Sequence, residues 1–165
     1  MASITLGGNP AETNGNLPAL GSTAANFTLT ANDLSSKSLN DYDGMRKVLN
    51  IFPSVDTGIC AASARKFNEE ASNLENTKIL CISRDLPFAQ ARFCGAEGIE
   101  NVEMLSDYKD GQFGKDYGVE ITKSAFTGLH ARVVIVLDEN NSVIYTELVP
   151  EIGQAPNYDA ALKVL

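Results

Sequence analysis

Between Val48 and Leu74 the hydrophobic pattern changes period, and that change limits the folds open to the chain. Val48-Leu49-Asn50-Ile51-Phe52 is a short, mostly apolar run stopped by Pro53, which reads as a buried strand. From Cys60 the residues Cys60, Ala64, Phe67, Ala71 and Leu74 recur in steps of four, three, four and three, which is one face of a helix. Arg65, Lys66, Glu69 and Glu70 fall largely off that face. Lys78-Ile79-Leu80-Cys81-Ile82-Ser83 then supplies a second strand. Strand, helix, strand is the grammar of an α/β sheet.

The rest of the chain extends the pattern. Ser3 to Leu6 is extended, Gly7-Gly8-Asn9-Pro10 is a turn, and Asn14-Gly15 favours a tight hairpin turn. Phe27 to Thr30 alternates like a half-buried strand. Asp85 followed by Pro87 looks like a helix start, with the aspartate as cap; that helix should run to about Ala96 and stop at Gly98. Val102 to Leu105 is a short strand, and Gly111 to Tyr117 a short helix ended by Gly118. Ala131 to Leu137 and Ser142 to Val149 flank a turn and form an antiparallel hairpin. Asn157 or Asp159 begins a last helix. The order predicts a thioredoxin-like mixed sheet flanked by helices, with an N-terminal β-hairpin extension, in a single domain spanning 1–165.

Composition excludes several roles. The chain has 165 residues, enough for one proper core, and at 44% hydrophobic and 21% charged it is ordinary for a soluble globular protein. A net charge of −8 with no run of Lys or Arg makes nucleic acid and anionic membranes poor partners. No stretch approaches a transmembrane span, and the first ten residues have neither the basic nor the apolar segment of a secretory signal. Three cysteines argue against a disulfide scaffold and for reduced thiols in the cytoplasm. One histidine, no C-x-x-C pair and no phosphate loop imply no metal and no cofactor; His130 reads as a loop or surface residue.

Cys60 closes the segment that leaves the strand and opens the helix, so its thiol lies at the positive end of a helix dipole, near unpaired backbone N–H groups. Both favour the thiolate, which is the nucleophilic form. Strand ends are also where open α/β sheets gather their chemistry. Thr57 can exchange a hydrogen bond with the sulfur or an incoming oxygen, and Pro53 fixes the strand exit. The bland roles of helix cap and strand terminator remain open for these two. Cys81, inside an apolar strand, reads as a small core residue with a raised pKa.

Pro53, Thr57 and Cys60 fit the spacing P-x-x-x-T-x-x-C, and the blocks SVDTGICAAS, LCISRDLPFAQARFCGAEG, GLHARVVIVLDE and ELVPEIGQAPNYDAAL surround it. In these blocks the chain resembles the bacterial thiol peroxidases, the atypical two-cysteine peroxiredoxins, over nearly its whole length. The resemblance implies reduction of hydrogen peroxide and organic hydroperoxides through a cysteine sulfenic acid and an intramolecular disulfide. It puts Cys60 on the peroxidatic cysteine, Cys94 on the resolving cysteine, and Arg132 on the arginine that contacts sulfur and substrate. Thr57 and Pro53 fall on the remaining active-site positions. It further implies a homodimer recycled by thioredoxin. Ile59, Arg84 and the segment SAFTGLHAR depart from the common pattern and bear on pocket shape. Two thiols on separate helices rarely meet the Cα separation of a disulfide, roughly 4.4–6.8 Å, so the helix carrying Cys94, and with it the first turn at Cys60, is expected to unwind during turnover. The Cys60-Ala61-Ala62-Ser63 sequence alone also fits a monothiol redoxin or disulfide exchange protein, and a redox-inert binding module with the same fold is a third class.

Overall fold

The computed structural model describes residues 1–165. Strands β1 (Ser3–Leu6) and β2 (Asn9–Thr13) pair antiparallel with Leu6 opposite Asn9, so the connecting turn is Gly7-Gly8 alone. Both glycines have positive φ, +58° and +82°, the conformation that a two-residue hairpin demands. No hairpin forms at Asn14-Gly15, contrary to the sequence expectation. The Asn14 side chain instead donates to the Lys115 carbonyl at 3.0 Å and accepts from the Glu120 N–H at 3.1 Å. Those bonds hold β2 against β8 (Ile121–Lys123), a strand with no readable signature of its own.

The main sheet has seven strands: β3 (Thr28–Ala31), β4 (Ser36–Ser38), β5 (Arg46–Ile51), β6 (Thr77–Ser83), β7 (Glu103–Ser106), β9 (Val133–Leu137) and β10 (Val143–Leu148). They lie in the order β10-β9-β5-β6-β7-β3-β4. β5, β6 and β7 are parallel neighbours, whereas β9 runs antiparallel to β5 and β3 antiparallel to β7. The two crossovers among the parallel strands are helices α1 (Gly58–Ala71) and α2 (Pro87–Glu97). Helix α3 (Gln112–Asp116), helix α4 (Tyr158–Lys163) and a 3₁₀ turn over Leu39–Tyr42 complete the elements.

Alternation along the central strands decides which helix lies where. Leu49, Ile51, Leu80, Ile82, Val133 and Ile135 point into one apolar cluster, with Phe113 and Tyr117 from the α3 region. Val48, Ile79, Val134 and Val136 point the other way, against Phe67 of α1 and Ala161 of α4. Further along that second face, Phe52 and Cys81 meet Cys60 and Ala64 of α1 and Phe93 of α2. Each fully buried Val, Leu or Ile contributes about 1.5–3 kcal/mol, so the sheet is the stiff base on which the loops at its strand ends are mounted.

The caps show where local sequence decides. Gly98 takes the left-handed conformation at the end of α2, and its N–H returns to the Cys94 carbonyl, as its position predicts. Asn157 caps α4 with its side chain accepting from the Ala160 N–H. Asp85 does not cap α2: Leu86 occupies that position and Pro87 begins the helix. The Asp85 carboxylate is occupied instead by donors from β6 and from the loop after β5.

Candidate active site

Pro53 follows the end of β5, and four residues later Thr57 holds the cap position of α1. The first helical bond runs from the Ala61 N–H to the Thr57 carbonyl at 3.1 Å. The N–H groups of Gly58, Ile59 and Cys60 therefore have no acceptor within the helix and point from its positive end. Cys60, the third residue of α1, is fully buried.

Arg132 precedes β9 and reaches the same point from the adjacent strand. Its Nη1 donates to Cys60 Sγ at 3.1 Å and its Nε to the Ile152 carbonyl at 2.7 Å. The guanidinium is buried at 2% exposure and has no carboxylate within ion-pair distance; the seven ion pairs of the chain all lie elsewhere. The acceptors of this buried cation are the Cys60 sulfur and the Ile152 carbonyl, so the charge lies directly against the sulfur. The arginine in turn depends on the segment after β10. Its own carbonyl accepts from the Val149 N–H at 3.0 Å, and Ile152 is held to β1 by its N–H on the Thr5 carbonyl at 2.8 Å. Glu151 reinforces that junction by accepting from the N–H groups of Gly153, Gly8 and Gly7, which hold its carboxyl down at about 2.

Thr57 is beside the site but does not touch the sulfur. Its hydroxyl donates to the Ser54 carbonyl at 3.1 Å, which spends its proton and leaves its oxygen free only to accept. Pro53 is buried behind the loop. Ser63, the last residue of the C-x-x-S sequence, donates to Asn50 at 3.1 Å and faces away from any exchange chemistry.

The other two cysteines differ sharply. Cys81 is buried beneath the site, where loss of solvent pushes its thiol up to about 12, and its one hydrogen-bond partner is the Asn50 amide, at 3.6 Å. Cys94 is half-buried on α2; burial raises its thiol, with the Asn32 side chain pulling the other way. All three cysteines are free thiols.

His130 corrects the sequence reading of a loop or surface residue. It is fully buried, with Nε2 2.9 Å from Asp107 Oδ2, and its ring packs on Phe113. Asp107 also accepts from the N–H groups of Phe113 and Gly114, which fixes the carboxylate that His130 meets, whereas His130 Nδ1 has no partner. Sequence reasoning also missed the Ile152 carbonyl, since a backbone acceptor carries no signature, and the bonds that Asp85 makes.

The fold and this cysteine–arginine geometry can be compared with known proteins. A family model described as Redoxin matches residues 19–162. The chain is 35% identical to a peroxiredoxin-like protein from Aquifex aeolicus, with a TM-score of 0.94 over 99% of this chain and 95% of that one. The chain belongs to the redoxin family. Within it, similarity runs to the thiol peroxidases: 54% identity to the thiol peroxidase of Corynebacterium glutamicum, over 100% of this chain and 99% of that one. The fold of the Chromobacterium violaceum thiol peroxidase also matches, with a TM-score of 0.91 over 99% and 95% of the two chains at 23% identity.

Proposed function

We propose that this thiol peroxidase reduces hydrogen peroxide and organic hydroperoxides with Cys60 as the attacking thiolate and Cys94 as the resolving thiol. The observation that carries the reading is the Arg132 guanidinium, buried without a carboxylate and 3.1 Å from Cys60 Sγ. The Cys60 thiolate attacks the terminal oxygen of the peroxide and the O–O bond breaks. The sulfur keeps the hydroxyl as sulfenic acid, and the other oxygen leaves as alkoxide or hydroxide and takes a proton. Arg132 and the N–H groups of Gly58, Ile59 and Cys60 face the developing negative charge. The Thr57 oxygen accepts from the peroxide hydroxyl, and Pro53 keeps that side of the loop fixed. Cys94 then condenses with the sulfenic acid, forming the disulfide and releasing water.

That second step calls on α2 to move, because Cys60 is fully buried in α1, Cys94 is half-buried on α2, and a disulfide forms only within a narrow geometry. The helix is suited to it. Only Pro87, Gln90 and Phe93 of α2 are buried, and Gly95 weakens its last turn. The ion pairs that tie it toward α1, Arg92–Asp56 and Arg65–Glu97, are exposed and contribute about 0–1 kcal/mol each.

The reading extends to partners and setting. Thioredoxin, a dithiol reductant, returns the disulfide to two thiols by exchange while becoming oxidised itself. Leu86 and Phe88, 52% and 67% exposed beside the loop of Cys60, offer an apolar patch to a second copy, in support of a homodimer. Residues 1–165 act as one domain in the cytoplasm, where free thiols persist. No helix is long and apolar enough to cross a membrane.

Stopped-flow oxidation by hydrogen peroxide and by cumene hydroperoxide, followed by mass spectrometry of the product, tests this. Rapid oxidation to a Cys60–Cys94 intramolecular disulfide is expected. Slow oxidation, or only unlinked and intermolecular species, would overturn it.

A further inference from the structure

Asp85 sits in the bend between β6 and α2, and its carboxylate serves two segments at once. Oδ1 accepts from the Ser54 hydroxyl at 2.7 Å. Oδ2 accepts from the Val55 N–H at 2.9 Å and the Ser83 hydroxyl at 2.6 Å. Ser83 in turn accepts from Gln90 Nε2 at 3.1 Å, and that nitrogen also donates to the Leu105 carbonyl at 3.0 Å. On the loop side, the Ser54 carbonyl accepts both the hydroxyl and the N–H of Thr57, at 3.1 and 3.2 Å. A continuous run of hydrogen bonds thus leads from the cap position of α1, through Asp85, to Gln90. Gln90 lies one helical turn before Cys94 on the same face of α2.

The run ends in an imperfection. Gln90 is fully buried, yet its Oε1 has no partner. A buried carbonyl left unpaired destabilises the state that contains it, and opening α2 to water relieves it.

We propose that Asp85 is a positioning residue that ties the reactive geometry at Cys60 to the closed state of α2. With α2 in place, the carboxylate fixes Ser54 and Val55, and through them the first turn of α1. When the start of α2 opens, Ser83 and Gln90 let go and the loop before Cys60 is released with them. Attack on peroxide and formation of the disulfide therefore draw on opposite positions of one latch. This inference rests on the peroxidase reading above.

Opposite effects on the two steps distinguish the latch from simple structural support. An Asn side chain accepts on one oxygen only, so Asp85→Asn cannot hold all three donors. In single-turnover stopped-flow with hydrogen peroxide, the sulfenic-acid phase of Asp85→Asn should slow by about tenfold, the worth of one charge-assisted bond. Its disulfide phase should speed up, and sulfinic acid at Cys60, counted by mass spectrometry, should fall. Two unchanged phases, or two phases slowed alike, would overturn the proposal. Ser54→Ala and Ser83→Ala each remove one donor to the carboxylate and keep the carboxylate itself, the first also losing the bond from the Asp56 N–H and the second those from Gln90 and the Asp85 N–H, which covers the case of an Asp85 variant that does not fold. The first should show the slower sulfenic-acid phase and the second the faster disulfide phase; unmoved kinetics in both refutes the latch. Wild-type protein that yields no Cys60–Cys94 disulfide would instead sink the peroxidase reading. A normal wild-type disulfide with unmoved variants removes only the role of Asp85.

Discussion

Arg132→Gln removes the one charge that faces Cys60 and leaves a shorter, neutral side chain that is still polar. The substitution breaks the 3.1 Å bond from Nη1 to sulfur and takes from the Ile152 carbonyl its donor at 2.7 Å. Hydrogen bonds to charged groups contribute about 1.5–3 kcal/mol, and 1.36 kcal/mol is a factor of ten, so the bond to sulfur alone is worth roughly 10- to 150-fold in rate. Donors aimed at a developing oxyanion add to this, so a fall of about 10²-fold or more is expected in the peroxide-dependent phase. Arg132→Lys keeps the charge but cannot reach sulfur and carbonyl with two separate nitrogens, so it should fall between the two proteins. The assay is single-turnover oxidation by stopped-flow, at a temperature where circular dichroism shows each variant folded, because an unpaired Ile152 carbonyl also costs about 1–3 kcal/mol of stability. The disulfide phase should be little altered, since Arg132 does not touch α2 or Cys94. A folded Arg132→Gln protein within about threefold of the wild-type peroxide rate would refute the assignment of Arg132 as counter-charge to the sulfur.

Two further outcomes follow from groups around the site. Cys81→Ser should leave peroxidase turnover nearly intact, because the thiol is held near 12 and its one hydrogen-bond partner is the Asn50 amide; a collapse in steady-state turnover would contradict its structural role. Glu151→Gln should lower stability at neutral pH and flatten the acid unfolding curve. The native carboxyl is depressed from 4.5 to about 2, so its stabilisation is complete above the higher value and lost as pH falls through the lower one. Identical acid titrations of the two proteins, followed by circular dichroism, would rule this out.

The sequence was most readable where one residue acts through its own backbone or through a long apolar repeat. Gly98 had to end α2 because it tolerates positive φ, and the steps from Cys60 to Leu74 could only be one helical face. The central strands were legible for the same reason. It was least readable where a short polar side chain had several suitors. Asp85 looks like a cap to any local rule, but Ser54, Val55 and Ser83 converge on it from parts of the chain that only the tertiary fold brings together. Asn14-Gly15 carries the strongest hairpin dipeptide, yet the bonds to Lys115 and Glu120 take its asparagine elsewhere. His130 shows the same limit from the other side, since its burial depends on Asp107, and no periodicity links those two positions. Cys60 and Arg132 were paired by resemblance; spacing alone could not have brought β9 beside α1.

The opening hairpin is more than an ornament on the main sheet. Thr5 grips the peptide groups of Pro150 and Ile152, and the oxygen of Ile152 is the peg from which the guanidinium hangs. Leverage on the sulfur thus begins within the first few residues of the polypeptide. A cleavage there, or a fusion partner that pries the ribbon loose, reaches the reaction centre without altering any residue in it.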